Sequence, residues 1–406
     1  MAKQQVYEGA ASVGRVKNAA GRRPADGGRV GIGLIGCGGM GRHVAVKLLN
    51  RNPRLEIRGL FDPDRRSIRN ARKGLCPEAR VFADYQSLCQ SPDIDWVMIA
   101  SWNCFHKEQT IAAFEAGKHV FCQKPLATTV EDCLAMRKAW KASGRLFNIG
   151  FSLRYAPHYR TIRKLLDAGT IGQLISMEFN ETLHFCHGGY IMGDWRRLQR
   201  YAGTHLLEKC CHDIDLANWM TGSRAARVAS FGGLDFYTPR NVGRIRRLGR
   251  DANGKRAYQT WGGLVNKNPF TSDKDIIDNQ VAVIEYENGV RATFHTNCHS
   301  AIPERRMVLL GTDGAIRADL VAGRIETARI GFGEKIRDVK VRSVGSHAGG
   351  DDVLAGELAN SMLKGTPPSV GLEEGLASAF TCFGIDEAME SGQVVDMKRY
   401  WKKIRG

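Results

Sequence analysis

Residues 30–41 constrain the fold of this 406-residue chain more than any other stretch. An apolar run of strand length, 30–35, ends in Gly36-Cys37-Gly38-Gly39-Met40-Gly41, which fits the pattern G-x-G-x-x-G. Gly36 permits a tight turn, Gly38 lets the backbone approach a pyrophosphate, and Gly41 lets the next helix pack closely on the strand. Free N–H groups at the positive end of that helix, around Gly38, Gly39 and Met40, would face the phosphates. A second run, 57–61, ends at Asp62, 21 residues beyond Gly41. A carboxylate there would accept bonds from the adenosine ribose hydroxyls and oppose a 2′-phosphate. NAD is therefore the expected cofactor, with NADP as the alternative because Arg65 and Arg66 follow closely.

Up to about residue 150, short β-rich runs alternate with helical periods. The pattern predicts strands over 30–35, 57–61, 96–100, 119–122 and 146–151, and helices over 41–49, 65–73, 108–115 and 130–143. Such alternation argues for βαβ units and a parallel sheet. After Gly150 the texture changes. A helix over 157–168 leads into a strand over 174–180, residues 206–220 read as an amphipathic helix, and 236–275 read as a long polar loop insertion. Asn288-Gly289 and Asp313-Gly314, each between alternating runs, signal hairpins. Helices are predicted over 353–363 and 372–391. The expected architecture is an N-terminal arm over 1–28, an α/β Rossmann domain over 29–150, and an α+β domain over 151–406 with an open, mainly antiparallel sheet.

Two further segments carry chemistry. Gly117-Lys-His-Val-Phe-Cys-Gln123-Lys124-Pro125 ends a parallel strand, and Gly203-Thr-His-Leu-Leu-Glu208-Lys-Cys-Cys-His212-Asp-Ile-Asp215 lies on the later helix. Glu208 and His212 are spaced i, i+4 and so share a helix face, with Asp215 near it. A histidine near its ordinary pKa is poised to take a hydroxyl proton as hydride leaves carbon. A carboxylate one turn away can orient the imidazole, and a lysine ammonium can polarise the same oxygen.

Together with the glycine loop, these segments resemble the Gfo/Idh/MocA family of oxidoreductases over roughly residues 29–400. The resemblance takes in Asn103 and His106, Arg154-Tyr155, the Tyr286–Gly289 hairpin and Gly311–Gly314. It implies catalysis by Lys124 and His212 with Glu208 in support. It implies cofactor contacts from Gly36, Gly38, Gly39, Met40, Gly41, Asp62, Ser101, Asn103, His106, Gln123 and Lys124. Substrate contacts are expected from Arg154, Tyr155, His184 and Asp215. The implied substrate is a secondary hydroxyl of a sugar, glycoside or cyclitol, and the implied assembly is a homo-oligomer, dimer or tetramer. Three positions depart from the family pattern: Gln123 stands for Glu, Glu208 for Asp and Cys210 for Gly. Two relatives of this reaction remain open, glycoside cleavage with an internally recycled nicotinamide and a ligand-sensing module without catalysis.

His184, Cys186 and His187 precede Cys210, Cys211 and His212, and zinc accepts such ligands. The spacing is not that of a ribbon or finger, and no metal is expected. Ser346–Asp351 reads as a turn before a helix, with Asp351 as its N-cap and His347 within reach of a substrate hydroxyl. Eleven cysteines without framework spacing, in a chain long enough to build its own core, indicate reduced thiols and a cytoplasmic location. Arg22-Arg23 ahead of the apolar run imitates an export signal, but the glycines fit a strand and loop better. No apolar run reaches the roughly 18 residues of a membrane span. The net charge of +17 gathers in the arm, in 240–256 and in the 398–405 tail, away from the expected site. It is read as solubility or subunit contact, since no motif for reading nucleic acid accompanies it. Neither nucleic acid nor membrane is an expected partner.

Overall fold

The computed structural model describes residues 28–259, 265–342 and 345–405. The predicted arm, residues 1–27 of it, lies outside them. Six strands form a first sheet: β1 (Val30–Ile35), β2 (Leu55–Phe61), β3 (Arg80–Val81), β4 (Trp96–Ile99), β5 (His119–Cys122) and β6 (Phe147–Ile149). All pairs are parallel, in the order β3-β2-β1-β4-β5-β6. β1 and β4 are buried at every position, as expected of strands covered on both faces by helices. The chain reverses its direction of strand addition between β1 and β4, which opens a crevice at their carboxyl ends. The predicted strands are present with ends shifted by three residues at most. The short β3 and the helix Tyr85–Gln90 had no counterpart in the sequence reading. Local signals set the helix ends: Asp64 and Thr129 accept bonds from N–H groups of their first turns, and Gly144 closes Val130–Ser143 in the left-handed region.

The second sheet has nine strands. They are β7 (Leu174–His184), β8 (Ala225–Gly233), β9 (Asn279–Tyr286), β10 (Arg291–Ser300), β11 (Arg306–Gly311), β12 (Gly314–Asp319), β13 (Arg324–Arg329), β14 (Arg337–Asp338) and β15 (Val395–Asp396). Their order is β14-β13-β12-β11-β7-β10-β9-β8-β15, and only β7 and β10 run parallel. Both predicted hairpins, β9–β10 and β11–β12, are antiparallel. In β9 the alternation is clean: Ala282, Ile284 and Tyr286 are buried, while Val281 and Val283 face outward. Helices Cys211–Thr221 and Leu372–Ser391 cover the buried face, with Ser378 Oγ donating to the Cys211 carbonyl at 2.7 Å. No described helix is long and apolar enough to cross a membrane.

Two expectations are corrected. Residues 206–220 are not an amphipathic surface helix. Leu206–Cys210 is a π-helical turn leading into the α-helix Cys211–Thr221, and nearly every residue is buried because the segment lies between the sheet and Leu372–Ser391. Residues 236–275 are not simply a polar loop. Tyr237, Tyr258 and Phe270 pack with Leu183, Ile191 and Met192 into a second, aromatic core, and Gly243–Leu248 is helical. Asp278 holds this segment in place by accepting from the N–H groups of Asp235, Phe236 and Tyr237 at 2.7–3.0 Å. The basic tail is helical as well: in Lys398–Arg405, Trp401 is buried and its indole N–H donates to the Ala225 carbonyl.

Candidate active site

At the end of β1 the backbone performs the tasks expected of it. Gly36 has φ +88°, and a Cβ there would sit 2.5 Å from Ala100 backbone atoms. A Cβ on Gly41 would lie 2.1 Å from the Gly36 carbonyl oxygen. Gly38 and Gly39 differ: a Cβ on either meets nothing within 4 Å. The loop is therefore tight where it touches protein and open where a pyrophosphate would lie. The helix it opens, Gly39–Leu49, has no acidic residue in its first turn. These features fit a dinucleotide. Asp62 stands at the end of β2, but its carboxylate is already engaged. Oδ2 accepts from Cys37 N–H and Oδ1 from Asp64 N–H, both at 2.7 Å. It thus braces the glycine loop, and burial pushes its pKa up.

Beyond β4, Ser101 Oγ donates to Gln109 Oε1 at 2.6 Å, and Asn103 Nδ2 donates to the Ala202 carbonyl at 2.8 Å, tying this loop to the second domain. Trp102 stacks on Trp195 at 4.9 Å. His106 is fully buried, with Nδ1 2.9 Å from the Pro125 carbonyl, so it buttresses the loop that presents Lys124. Burial keeps it neutral, at about 4. Gln123 is buried and its Nε2 has no hydrogen-bond partner among the described residues, a spare donor beside the crevice.

Lys124 follows β5 and reaches across to the π-turn. Its ammonium donates to the Glu208 carbonyl and stands 3.5 Å from Glu208 Oε1. Arg196 Nε holds the same oxygen at 3.1 Å, and Arg196 also donates to Asp194 and Tyr190. Burial alone would raise the Glu208 pKa, but Lys124 and Arg196 outweigh it and hold the carboxyl at about 2. The expectation that this carboxylate orients His212 is therefore corrected: no hydrogen bond joins them. The i→i+5 winding of Leu206–Cys210 takes Glu208 out of register with His212 and toward Lys124. His212 is buried, packs edge-on against Phe151, and its Nδ1 has no partner among the described residues. Burial first, and then the charges of Lys124 and His347, push it well below the usual imidazole value.

The residues expected at the substrate mostly have protein partners. Arg154 and Asp215 face each other in a bidentate pair at 2.7 and 2.8 Å, with burial pushing Asp215 up to about 6 and Arg154 pulling it back. Tyr155 donates to Glu357 Oε1 at 2.8 Å. His184 Nδ1 accepts from Cys186 N–H, capping Phe185–Gly193. Asp351 is not an N-cap, a place that Gly349 takes; it lies in the first turn with its carboxylate on His347. Beneath the His212 helix lies a buried cluster. Arg305 grips Asp213 at 2.6 and 2.7 Å and Glu181 at 3.1 Å, and Lys209 holds Glu181 at 3.0 Å. Burial works against both carboxylates. Arg305 and Lys209 nevertheless hold Glu181 ionised, while burial pushes Asp213 up. No sequence signal marked Arg196, Lys209, Arg305 or Glu181; Arg305, for one, lies 92 positions from Asp213.

The family profile "Oxidoreductase family, NAD-binding Rossmann fold" matches residues 30–151, and "GFO/IDH/MocA C-terminal domain" matches 159–317. The inositol 2-dehydrogenase of Ralstonia nicotianae is 34% identical over 194 residues, 47% of this chain. That match spans 54%, about half, of the curated relative's length. The inositol 2-dehydrogenase of Paracoccus denitrificans is 26% identical over 89% of this chain and 94% of its own. Levoglucosan dehydrogenase, solved in complex with NADH and levoglucosan, superposes with a TM-score of 0.74 at 21% identity over 91% of this chain and 99% of its own. The likeness in fold, the two profile matches and the glycine loop agree: the chain belongs to the GFO/IDH/MocA oxidoreductase family, with its NAD-binding Rossmann fold at residues 30–151.

Proposed function

We propose that the chain is an NAD-dependent dehydrogenase that interconverts a secondary hydroxyl and a ketone on a sugar, glycoside or cyclitol. The observation that carries this reading is the meeting of Lys124 with the Glu208 turn, beside a buried, uncharged His212. NAD held on the loop 36–41 would supply the hydride acceptor. Asp62 favours it over NADP, since a carboxylate at the end of β2 repels a 2′-phosphate, and Arg66 is turned onto Asp64. Gln123 Nε2 and the open face of Gly38 and Gly39 are the further groups offered to the dinucleotide.

In the chain's own chemistry, Lys124 polarises the substrate oxygen and stabilises alkoxide character. Glu208, fixed by Arg196, sets where the Lys124 ammonium lies. His212, neutral at pH 7, accepts the hydroxyl proton. The substrate is the part of the reading that relatives supply: two are named inositol 2-dehydrogenase and one was solved with levoglucosan. The exposed face of the second sheet, with Phe231 72% and Val283 54% exposed, is the surface for pairing two subunits. Size-exclusion chromatography with light scattering checks this, and a strict monomer removes it.

A panel of cyclitols, sugars and glycosides with NAD and NADP, read at the nicotinamide absorbance, tests the reading. Net NADH production by at least one polyol is the expected result. Sugar release without net NADH would replace it with glycoside cleavage on a recycled nicotinamide. Lys124→Ala and His212→Ala should each lower kcat by ~10²–10⁴-fold while NADH binding survives. Full activity in either variant takes that residue out of the mechanism.

A further inference from the structure

Oxidation of a secondary alcohol releases one proton for every hydride transferred. His212 is a poor place for that proton to stay, because it is buried and the Lys124 ammonium opposes its charged form. A short line of ionisable groups leads away from it. The His347 ring lies 5.7 Å from the His212 ring, centroid to centroid, at 48°. His347 Nδ1 contacts Asp351 Oδ2 at 2.9 Å, and the same oxygen lies 3.0 Å from His43 Nε2. Asp351 is buried, but the side chains of His347 and His43 are 31% and 35% exposed. Within three residues the line runs from the buried site to solvent.

The backbone here is held in an unusual shape. His347 (φ 46°, ψ 40°) and Ala348 (φ 52°, ψ 38°) are consecutive non-glycine residues in the left-handed region. Such conformations are sparsely populated and persist where surrounding structure imposes them, commonly at functional sites. Gly350, at the end of the turn, is pressed so closely on Ser152 that a Cβ would lie 2.1 Å from its carbonyl oxygen. An Nδ1–H donated to Asp351 leaves Nε2 of His347 as the acceptor.

We propose that His347, held by Asp351, carries the proton from His212 to solvent. The step rests on the dehydrogenase reading above. As the substrate C–H electron pair leaves as hydride to bound NAD, the O–H bond breaks and its proton passes to His212. It then moves to the His347 imidazole, directly or across one water, and from there to bulk water. Both histidines return to the neutral form, and the carbonyl product and NADH balance the electrons. His347 is thus a proton-transfer residue outside the lysine–histidine pair, and Asp351 positions it.

The test is chemical rescue in the holoenzyme. In weak buffer, His347→Gln should lower kcat ~10–100-fold with NADH affinity unchanged, and millimolar imidazole in solution should restore most of it. Asp351→Asn should give a smaller loss with the same rescue. Wild-type kcat for His347→Gln in weak buffer overturns the proposal. So does a loss that imidazole leaves untouched in a variant with the wild-type melting temperature. A second readout needs no turnover. In the apoprotein, His347→Gln should shift the His212 imidazole NMR signals and their titration, and an unchanged His212 titration overturns the coupling. A wild type that reduces no nicotinamide on any substrate removes the dehydrogenase reading itself, and the NMR result then still decides whether the two rings are coupled.

Discussion

The two sides of the crevice are built on opposite principles. On the cofactor side the work is done by backbone and by missing side chains: Gly36 and Gly41 let main chains touch, and Gly38 and Gly39 leave room. β1 and β4 beneath them are wholly apolar runs. On the substrate side the work is done by charge. Lys124, Glu208, Arg196, Arg154, Asp215, Glu181, Asp213, Lys209 and Arg305 pair with one another in and under the π-turn helix, most of them buried. The glycine loop tolerates no added atom at Gly36 or Gly41, whereas a buried charge network tolerates no lost partner.

Substitutions can break this contrast. The largest effect is expected from Gly41→Ala, whose new Cβ would overlap the Gly36 carbonyl at 2.1 Å. It should cost more than about 4 kcal/mol or prevent folding, read by urea denaturation, and abolish NADH binding. Next is Arg305→Met, which removes the cation that grips Asp213 and leaves Glu181 with Lys209. A loss of about 3–5 kcal/mol is expected. Replacing Asp213 and Arg305 together by Asn and Met should recover most of it, because Glu181 keeps Lys209, and a double variant no better than the single would contradict the pairing.

A smaller effect concerns Asp386, buried on helix Leu372–Ser391, which accepts from Thr204 Oγ1 at 2.5 Å and Gln280 Nε2 at 3.1 Å, two neutral donors. Burial pushes its pKa up to about 7. The folded chain then holds a proton that the unfolded chain releases near pH ~3.9. Stability from this group is complete below that value and lost as pH rises toward about 7. Asp386→Asn should reduce the fall in unfolding free energy between pH 5 and 8, read by urea denaturation, by about 1–3 kcal/mol; an unaltered slope would place the proton elsewhere. The smallest effect on folding, within about 0.5 kcal/mol, is expected for Gly38→Ala, where a methyl meets only open space. That same methyl should weaken NADH binding ~10-fold by fluorescence titration, so stability and affinity separate at one atom.

The same contrast explains what the sequence could say. The strand, glycine turn and helix at residues 30–49 were legible nearly to the residue because their signals are local. The hairpins at Asn288-Gly289 and Asp313-Gly314 were legible for the same reason. The charge network was not, since Arg305 lies 92 positions from Asp213 and Lys124 84 from Glu208. Spacing on an ideal α-helix also misassigned Glu208 to His212, because a π-turn of five residues leaves no mark in composition. The aromatic core within 236–275 had a signal in Phe236, Tyr237, Tyr258 and Phe270, obscured by the arginines and glycines between them.

The contact between His43 and Asp351 joins residues 308 positions apart. At roughly 5–20 residues per second, a ribosome makes the glycine loop about 15–60 s before it makes the helix that clamps that loop's own helix through Asp351 and Asp352. The dinucleotide cradle and the proposed proton path are thus made far apart in time. A chain still being made would have the one without the other until the helix Gly350–Lys364 emerges.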